Sequence, residues 1–249
     1  MGAIWITGAG GAIGGALIQE LQQQGRPLIL TGRRAEELRA LAHCLAVPAT
    51  VVAADLEQPG AAAAALETAA CEFESIDGFV HCVGSSLIRP LHLTSDDDLE
   101  AVMRVNFFSA AWALKAFIAF QVKRQCPASA VLLGSVVAQA GFPSHEAIGA
   151  AKGAVASLAQ SAAATYADKG IRVNCVHPGL TISKLSARLT GSAEAVARNA
   201  RLNPMGAVGE GRDAASMIAF LLSDKARWIT GQQISVDGGH AALHPLLKA

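Results

Sequence analysis

Short apolar runs alternate along the chain with longer segments in which apolar residues recur at helical spacing. Seven runs rich in Ile, Val and Leu have the length and composition of β-strands, at 3–7, 28–31, 50–53, 78–82, 130–133, 172–176 and 233–236. The segments between them predict helices near 12–24, 34–45, 60–70, 99–123, 147–167, 192–201 and 211–223. This alternation predicts an α/β fold: a doubly wound parallel sheet of about seven strands with helices on both faces.

The alternation continues along the whole chain without a linker rich in Pro, Gly or Ser, so residues 1–249 are predicted to form a single domain. Hydrophobic residues make up 52% of the chain and charged residues only 16%, which is enough apolar material for a large core. The 20 basic and 20 acidic residues give a formal net charge of zero. Charge therefore gives no reason to expect nucleic acid or an anionic membrane as a partner.

The sequence also bears on location and metal content. Its longest apolar stretches, such as 106–121, contain polar residues and fall short of the roughly 18 uninterrupted apolar residues of a membrane span. The N-terminus shows no pattern of a secretory signal, so we expect a cytoplasmic protein. The five cysteines are widely spaced and lack a Cys-x-x-Cys pair, which favours neither disulfides nor a zinc site. No metal is expected.

A glycine-rich turn lies between the first predicted strand and the first predicted helix, and reads Thr-Gly-Ala-Gly-Gly-Ala-Ile-Gly-Gly over 7–15. Glycine permits a positive φ and lets backbone N–H groups approach a pyrophosphate, which a helix N-terminus also favours. At this position the turn favours a dinucleotide site. Its spacing differs from G-x-G-x-x-G, because the residue three after Gly10 is Ile13.

The turn is similar to the Thr-Gly-x-x-x-Gly-x-Gly turn of the short-chain dehydrogenase/reductase family, with Ala12 in place of the middle glycine. The resemblance continues through Ala-Ala-Asp-Leu at 53–56, Val-Asn-Phe-Phe at 105–108 and Val-Asp-Gly-Gly at 236–239. It is greatest for the 3-oxoacyl-carrier-protein reductase branch and implies a Rossmann-like oxidoreductase. A second departure is His81-Cys82, where the family commonly has two Asn residues.

The resemblance also implies which residues bind a nicotinamide dinucleotide. The glycine turn would hold the pyrophosphate, Asp55 the adenine, Lys152 the ribose and Ser183 the nicotinamide amide. The expected cofactor residues are Gly8, Gly10, Ala12, Ile13, Gly14, Arg33, Arg34, Asp55, Leu56, Cys82, Gly84, Lys152, Pro178, Gly179 and Ser183.

The end of the second strand indicates which dinucleotide to expect. NAD-binding sites of this kind place a carboxylate there to accept from the ribose 2′-hydroxyl, whereas a 2′-phosphate favours a guanidinium. Gly32 stands in the place of the acid, and Arg33 and Arg34 follow it. We therefore expect NADP(H). The alternative is that the two arginines only form the solvated start of a helix.

The catalytic residues implied by the resemblance are incomplete. Family members use a Ser to bind the substrate carbonyl, a Tyr to transfer the proton, a Lys to lower the Tyr pKa, and an Asn to support a water relay. Ser135, Lys152 and Asn106 match three of them. The Tyr position, four residues before Lys152, is Ile148. The single tyrosine, Tyr166, is about four helical turns beyond Lys152 and cannot take its place.

Side chains close to Ile148 could replace the missing acid. His145 precedes it by three residues, so the two share a face if the helix begins early enough, and an imidazole titrates near neutral pH. We therefore include His145 among the catalytic residues, with a role at the rim of the pocket as the alternative. Lys152 could also donate if burial lowered its pKa, although ribose binding is its expected role.

Three functions remain open from the sequence. The first is an NADP(H)-dependent oxidoreductase that acts on a carbonyl or hydroxyl group with an atypical proton donor. The second is a catalytically impaired NADP(H)-binding protein with a sensor, regulatory or structural role, which Ile148 would explain. The third is non-redox chemistry in the same pocket.

Substrate and assembly are less constrained. Region 180–203 combines apolar and basic residues, which permits a small-molecule or acyl-type substrate. The predicted helices at 99–123 and 147–167 are apolar over more of their circumference than a half-exposed helix needs, so we expect a homo-oligomer. The resemblance to the family implies a dimer or a tetramer. The alternative is that both helices are covered by the sheet of their own subunit.

Overall fold

Seven parallel strands form one sheet in the computed structural model, which describes residues 2–243. Their order across the sheet is β3-β2-β1-β4-β5-β6-β7. The strands are β1 (Ala3–Thr7), β2 (Leu28–Gly32), β3 (Ala49–Ala53), β4 (Ile76–His81), β5 (Ala128–Leu133), β6 (Ile171–Pro178) and β7 (Gln233–Val236). The predicted doubly wound parallel sheet is confirmed, and the predicted bounds of β1 and β7 match those of the structure.

The helices alternate with the strands as predicted. They are α1 (Ala12–Gln23), α2 (Ala35–His43), α3 (Ala61–Ala70), α4 (Asp96–Met103), α5 (Ser109–Arg124), α6 (Glu146–Tyr166), α7 (Ala187–Thr190), α8 (Ala193–Ala200) and α9 (Gly211–Leu222). The short helix α7 was not predicted, because four residues are too few to show a helical period.

The helix predicted at 99–123 differs most from the structure. It begins earlier, at Asp96, because the Ser95 hydroxyl accepts the N–H of Asp98 and caps the first turn. It is also divided into α4 and α5 by a π-helical turn at Arg104–Phe108. Hydrophobic periodicity showed neither feature, since the first turn is acidic and a π-turn leaves no gap in an apolar pattern.

The core lies on both faces of the sheet because successive strand residues point to opposite sides. Trp5 packs with Phe79 and Phe117 on the face covered by α3, α5 and α6. Ile4 and Ile6 lie on the other face, in the cluster that includes residues of α1 and α9. Full burial of a large apolar side chain stabilises the folded state by about 1.5–3 kcal/mol. Both layers of helices therefore stabilise the sheet.

One helical stretch, Asp96–Arg124, is long and apolar enough by composition to cross a membrane, with a mean hydropathy of 1.4 in its most apolar window. A core helix meets the same criterion. In this fold Ala113, Leu114 and Phe117 of α5 are buried in the cluster on one face of the sheet. The stretch is thus a layer of the α/β fold.

The carboxyl ends of the strands lie level along one edge of the sheet. Thr7, the last residue of β1, is in register with Thr31 of β2 and with His81 of β4. After this edge β1 leads to α1 on one face, whereas β4 leads to α4 and α5 on the other. Such a switch point opens a crevice in which α/β proteins bind ligands.

Candidate active site

The glycine turn after β1 is built from close backbone contacts. Gly8 has a φ of 72°, and a Cβ on it would lie 2.6 Å from the carbonyl carbon of Cys82. A Cβ on Gly14 would lie 2.7 Å from the Gly8 oxygen. Neither position can take a side chain, whereas Ala12 forms the first residue of α1 without such a conflict. The turn therefore leaves the N-terminus of α1 open toward the crevice.

A cavity of about 440 Å³ lies beside this turn, at the carboxyl ends of β1 to β4. The predicted cofactor residues that line it are Gly8, Gly10, Arg33, Arg34, Asp55, Leu56, Cys82 and Gly84. We call it the cofactor cavity. The other predicted cofactor residues lie outside its lining, as far as residues 2–243 show: Ala12, Ile13, Gly14, Lys152, Pro178, Gly179 and Ser183.

Two glutamates that the sequence analysis missed also line the cofactor cavity. Arg33 Nη1 lies 3.3 Å from the Glu57 carboxylate, and Arg34 Nε lies 2.8 Å from that of Glu37. Glu37 could have been found from its helical spacing of three residues after Arg34. Glu57 could not, because its partner is 24 residues away on another strand end.

Lys152 lies at the inner end of the crevice, where its ammonium donates to the Leu133 carbonyl at 3.0 Å. A Cβ on Gly84 would lie 3.3 Å from Lys152 Nζ and 3.0 Å from Asn106 Oδ1, so the two side chains converge there. Burial lowers the pKa of Lys152 to about 8, an effect that the nearby thiols of Cys175 and Cys82 partly oppose. Such a group exchanges protons near neutral pH.

Asn106 is fully buried in the π-turn, where both atoms of its amide make hydrogen bonds. Its Oδ1 accepts the N–H of Ser85 at 3.1 Å, and its Nδ2 donates to the Ser85 hydroxyl and to the Val102 carbonyl. The π-turn therefore fixes Asn106 against the loop that follows β4. Isolated π-turns of this kind are frequent at functional sites.

Ser135 follows β5 and begins a short 3₁₀ turn, with its Oγ 3.4 Å from the Val137 nitrogen. The sequence analysis missed its neighbour His177, whose Nδ1 lies 3.0 Å from the Ser135 carbonyl oxygen and 3.2 Å from its nitrogen. Burial lowers the pKa of His177, so its ring is a neutral support for the Ser135 backbone. In the sequence, only the place of His177 immediately before Pro178-Gly179 indicated that it could lie near the site.

Ile148 is buried, with 4% of its surface exposed, one helical turn before Lys152 on α6. It lies in an apolar cluster with Val102, Ala147 and Ala151, against which Leu87, Leu99, Met103 and Val137 pack. None of these side chains carries a titratable proton. Asn106, Ser135, Ile148 and Lys152 stand at the four positions where the resemblance predicts catalytic residues, and we refer to them as the catalytic cluster.

His145 lies outside α6, which begins at Glu146, so the helical spacing that would place it on the face of Ile148 does not apply. Its Nδ1 lies 2.7 Å from the Pro143 carbonyl, and its ring meets Phe142 edge-on. Within residues 2–243, no hydrogen bond joins it to the catalytic cluster.

Residues after β6 form the other wall. Pro178 ends β6, and the backbone of Gly179 passes so close to Asp237 that a Cβ would lie 2.8 Å from its Cα. Ser183 bonds within its own turn, where its hydroxyl lies 3.0 Å from that of Ser186. The same hydroxyl accepts the N–H of Ser186 at 3.1 Å, so Ser183 is held within this turn.

His81 lies beneath the crevice, between Thr7 Oγ1 at 2.9 Å and Ser109 Oγ at 3.0 Å. Burial lowers its pKa to about 3, so the ring is neutral. The Ser109 hydroxyl donates to the Val105 carbonyl, and the Thr7 hydroxyl donates to the Val80 carbonyl at 3.2 Å. His81 thereby joins β1 and β4 to α5. The adjacent Cys82 remains a thiol, because burial raises its pKa to about 12.

The chain is similar to a protein family and to several characterised proteins. The family described as Enoyl-(Acyl carrier protein) reductase matches residues 8–241. A "2-(S)-hydroxypropyl-CoM dehydrogenase 3" from Xanthobacter autotrophicus is 32% identical over 247 residues, with 96% of each chain covered. An "Inactive 2-(S)-hydroxypropyl-CoM dehydrogenase 2" from the same organism is 37% identical over 196 residues, covering 77% of this chain and 85% of the relative.

The fold has similar solved structures as well. One, described as "ElxO with NADP Bound", is 25% identical with a TM-score of 0.90, and the alignment covers 98% of this chain and all of that one.

Proposed function

Because the chain belongs to the short-chain dehydrogenase/reductase family, whose members use nicotinamide cofactors, we propose that it is an NADP(H)-dependent oxidoreductase acting on a carbonyl or hydroxyl group. The observation that carries this proposal is the cofactor cavity, in which a glycine turn, a helix N-terminus and two guanidinium groups face the same space. The substrate is a small or acyl-type molecule, and its identity is left open.

The residues present fit NADP(H). Gly8 and Gly10 line the cavity, and the turn that they belong to suits a pyrophosphate at the N-terminus of α1. Arg33 and Arg34 offer guanidinium donors for a 2′-phosphate, and no carboxylate stands at Gly32. The similar structure described with NADP bound supports the same choice. When bound, NADPH supplies the hydride for carbonyl reduction.

We assign the proton to Lys152. Reduction of a carbonyl leaves an alkoxide, and its oxygen must take a proton to become an alcohol. Ile148 has none to give, whereas the ammonium of Lys152 has a pKa of about 8 and lies one helical turn away. Transfer of one proton from Nζ leaves a neutral amine, which solvent water reprotonates. Ser135 would donate a hydrogen bond to the substrate oxygen, and Asn106 fixes the loop beside Nζ.

The proposal is tested by incubating the purified protein with NADPH and a panel of ketones while the nicotinamide absorbance is followed. We expect slow but substrate-dependent oxidation of NADPH. If no ketone is reduced by the wild type, and turnover appears only in Ile148→Tyr, the proposed function is wrong.

A second function is favoured by one observation, the burial of Ile148 among apolar side chains where the family has its acid. The chain would then bind NADP(H) without consuming it, as a sensor, regulatory or structural protein. A relative that is described as inactive supports this second function. Calorimetry would then show tight NADP(H) binding by a protein that turns over no substrate.

We further propose that the protein is a cytoplasmic homo-oligomer, without nucleic acid or a membrane as partner. Phe108 in the π-turn and Val122 of α5 are exposed, and Phe108 stacks on Trp112 along the same surface. A second copy would cover this apolar strip. Sedimentation at micromolar concentration tests it, and a stable monomer contradicts it.

A further inference from the structure

The two arginines of the cofactor cavity are held by carboxylates in different ways. Glu37 binds Arg34 through Nε and leaves Nη2 beside Gly10, where a Cβ would lie 3.6 Å away. Glu57 instead binds Arg33 through a terminal nitrogen, Nη1. A 2′-phosphate uses the terminal nitrogens of a guanidinium fork, so only the second pairing competes with it.

Glu57 is the fixed member of its pair. Its side chain is 23% exposed, whereas that of Arg33 is 72% exposed. Its N–H donates to Asp55 Oδ1 at 3.2 Å, and the adjacent Leu56 is buried. The Ala54 N–H donates to the Gly32 carbonyl, which brings the ends of β2 and β3 together. The backbone that carries Glu57 is therefore fixed, and the more exposed side chain of Arg33 reaches its carboxylate.

The carboxylates that line the cofactor cavity outnumber its arginines. Arg33 and Arg34 face three carboxylates, those of Glu37, Asp55 and Glu57. A phosphate that enters must share Arg33 with a carboxylate of the same sign as its own. A ribose 2′-hydroxyl carries no charge and meets no such competition.

We propose that Glu57 is a specificity-determining residue, which holds back Arg33 and thereby weakens the preference of this site for a 2′-phosphate over a 2′-hydroxyl. The inference rests on the proposed function only in taking a nicotinamide dinucleotide as the ligand. Glu57 acts through Arg33, so it is a positioning residue.

The test measures dissociation constants for NADP⁺ and NAD⁺ by calorimetry, without turnover, in the wild type and in Glu57→Gln. We expect NADP⁺ to bind about three- to fivefold more tightly to the variant, with NAD⁺ changed less than twofold. The fragments 2′,5′-ADP and 5′-AMP should show the same contrast. Glu36→Gln is the matched control, because Glu36 pairs with Arg39 on the exposed side of α2, outside the cavity lining. It should change neither constant.

A double-mutant cycle with Arg33→Ala tests whether Glu57 acts through Arg33. The gain from Glu57→Gln should become smaller once Arg33 is absent, and a gain of undiminished size would overturn the proposed role. An unchanged or lower NADP⁺ preference in Glu57→Gln, in a variant with the melting temperature of the wild type, would also overturn it while leaving the proposed function intact. A wild type that binds neither dinucleotide overturns both.

Discussion

Arg33 and Lys152 are cations at opposite ends of one crevice, and they differ most in their exposure to water. Arg33 lies 72% exposed in an ion pair with Glu57, whereas Lys152 is buried and belongs to none of the ion pairs among residues 2–243. A guanidinium stays charged at any pH relevant here. The buried ammonium has a pKa of about 8 and can release its proton.

The comparison separates binding from proton transfer. The cofactor cavity offers the charges of its arginines and backbone N–H donors. These groups suit an anionic ligand, because they bind it without transferring a proton to it. In the catalytic cluster our proposal assigns the proton to Lys152, because Ile148 contributes no hydroxyl. Each part can therefore be tested by variants that leave the other unchanged.

The largest effect is expected for Lys152→Met. Loss of a positioned acid usually costs about 10²–10⁴-fold in rate, so kcat for ketone reduction should fall within this range. Wild-type kcat should also decline above pH 8 as Lys152 loses its proton. Lys152→Arg is the control for ribose binding: it keeps a cation but cannot release a proton at these pH values, so it should bind NADPH and remain slow. Equal kcat in wild type and Lys152→Arg would rule out Lys152 as the donor.

A stability measurement tests the neutral interior beneath the catalytic cluster. The folded pKa of His81 is about 3, whereas an unfolded histidine titrates near 6.5. Between these values the unfolded chain binds more protons, so the free energy of unfolding should fall as the pH drops from 6.5 toward 3. The loss is on the order of several kcal/mol.

His81→Asn removes this titration and keeps a polar side chain between Thr7 and Ser109. Denaturant unfolding at pH 7 and at pH 4.5 should therefore show a smaller pH effect in the variant. His145→Asn is a matched control, because His145 is partly exposed and lies outside α6. An identical acid loss in wild type and His81→Asn would contradict a neutral, buried His81.

Restoring a phenol should increase activity by a smaller factor. Ile148→Tyr places a hydroxyl one helical turn before Lys152, whose cation would lower the phenol pKa. We expect kcat/KM for ketone reduction to rise about tenfold or more. The larger ring should cost about 1–3 kcal/mol of stability in the packed cluster. Ile148→Phe carries the same ring without the hydroxyl, and an equal gain in it would show that shape, not proton transfer, limits the rate.

Particular residues show how far the sequence determined these conclusions. Strand and helix patterning was sufficient for the parallel sheet, because buried strands are short apolar runs and the strand–helix alternation leaves few topologies. The turn from Gly8 to Gly14 followed from its place between a strand and a helix, whereas Lys152 was singled out by the resemblance to the family. Glu57, His177 and the π-turn around Asn106 did not, since each depends on contacts between distant strand ends or on a backbone irregularity without a sequence pattern.

His145 shows a limit of reasoning from local spacing. Its spacing from Ile148 suggested a shared helical face, but the chain reaches the helix through Ser144, which has a φ of 63°, and α6 begins one residue after His145. A single residue at a helix boundary thus decides which way an imidazole points, and boundaries are the least reliable part of any prediction from periodicity.

The smallest effect is expected at the exposed end of the crevice. Arg33→Ala removes one guanidinium from the cofactor cavity while Arg34 remains beside Gly10. Because the pair with Glu57 is largely solvated, we expect the ratio of NADP⁺ to NAD⁺ affinity to fall only about three- to tenfold. Calorimetry with both dinucleotides measures the ratio, and Arg39→Ala, a solvated arginine elsewhere on α2, is the control. A fall in NAD⁺ affinity equal to that for NADP⁺ would mean that Arg33 contacts a part common to both cofactors. The contrast between an end of the crevice that binds the 2′-phosphate and an end that donates a proton would then no longer hold.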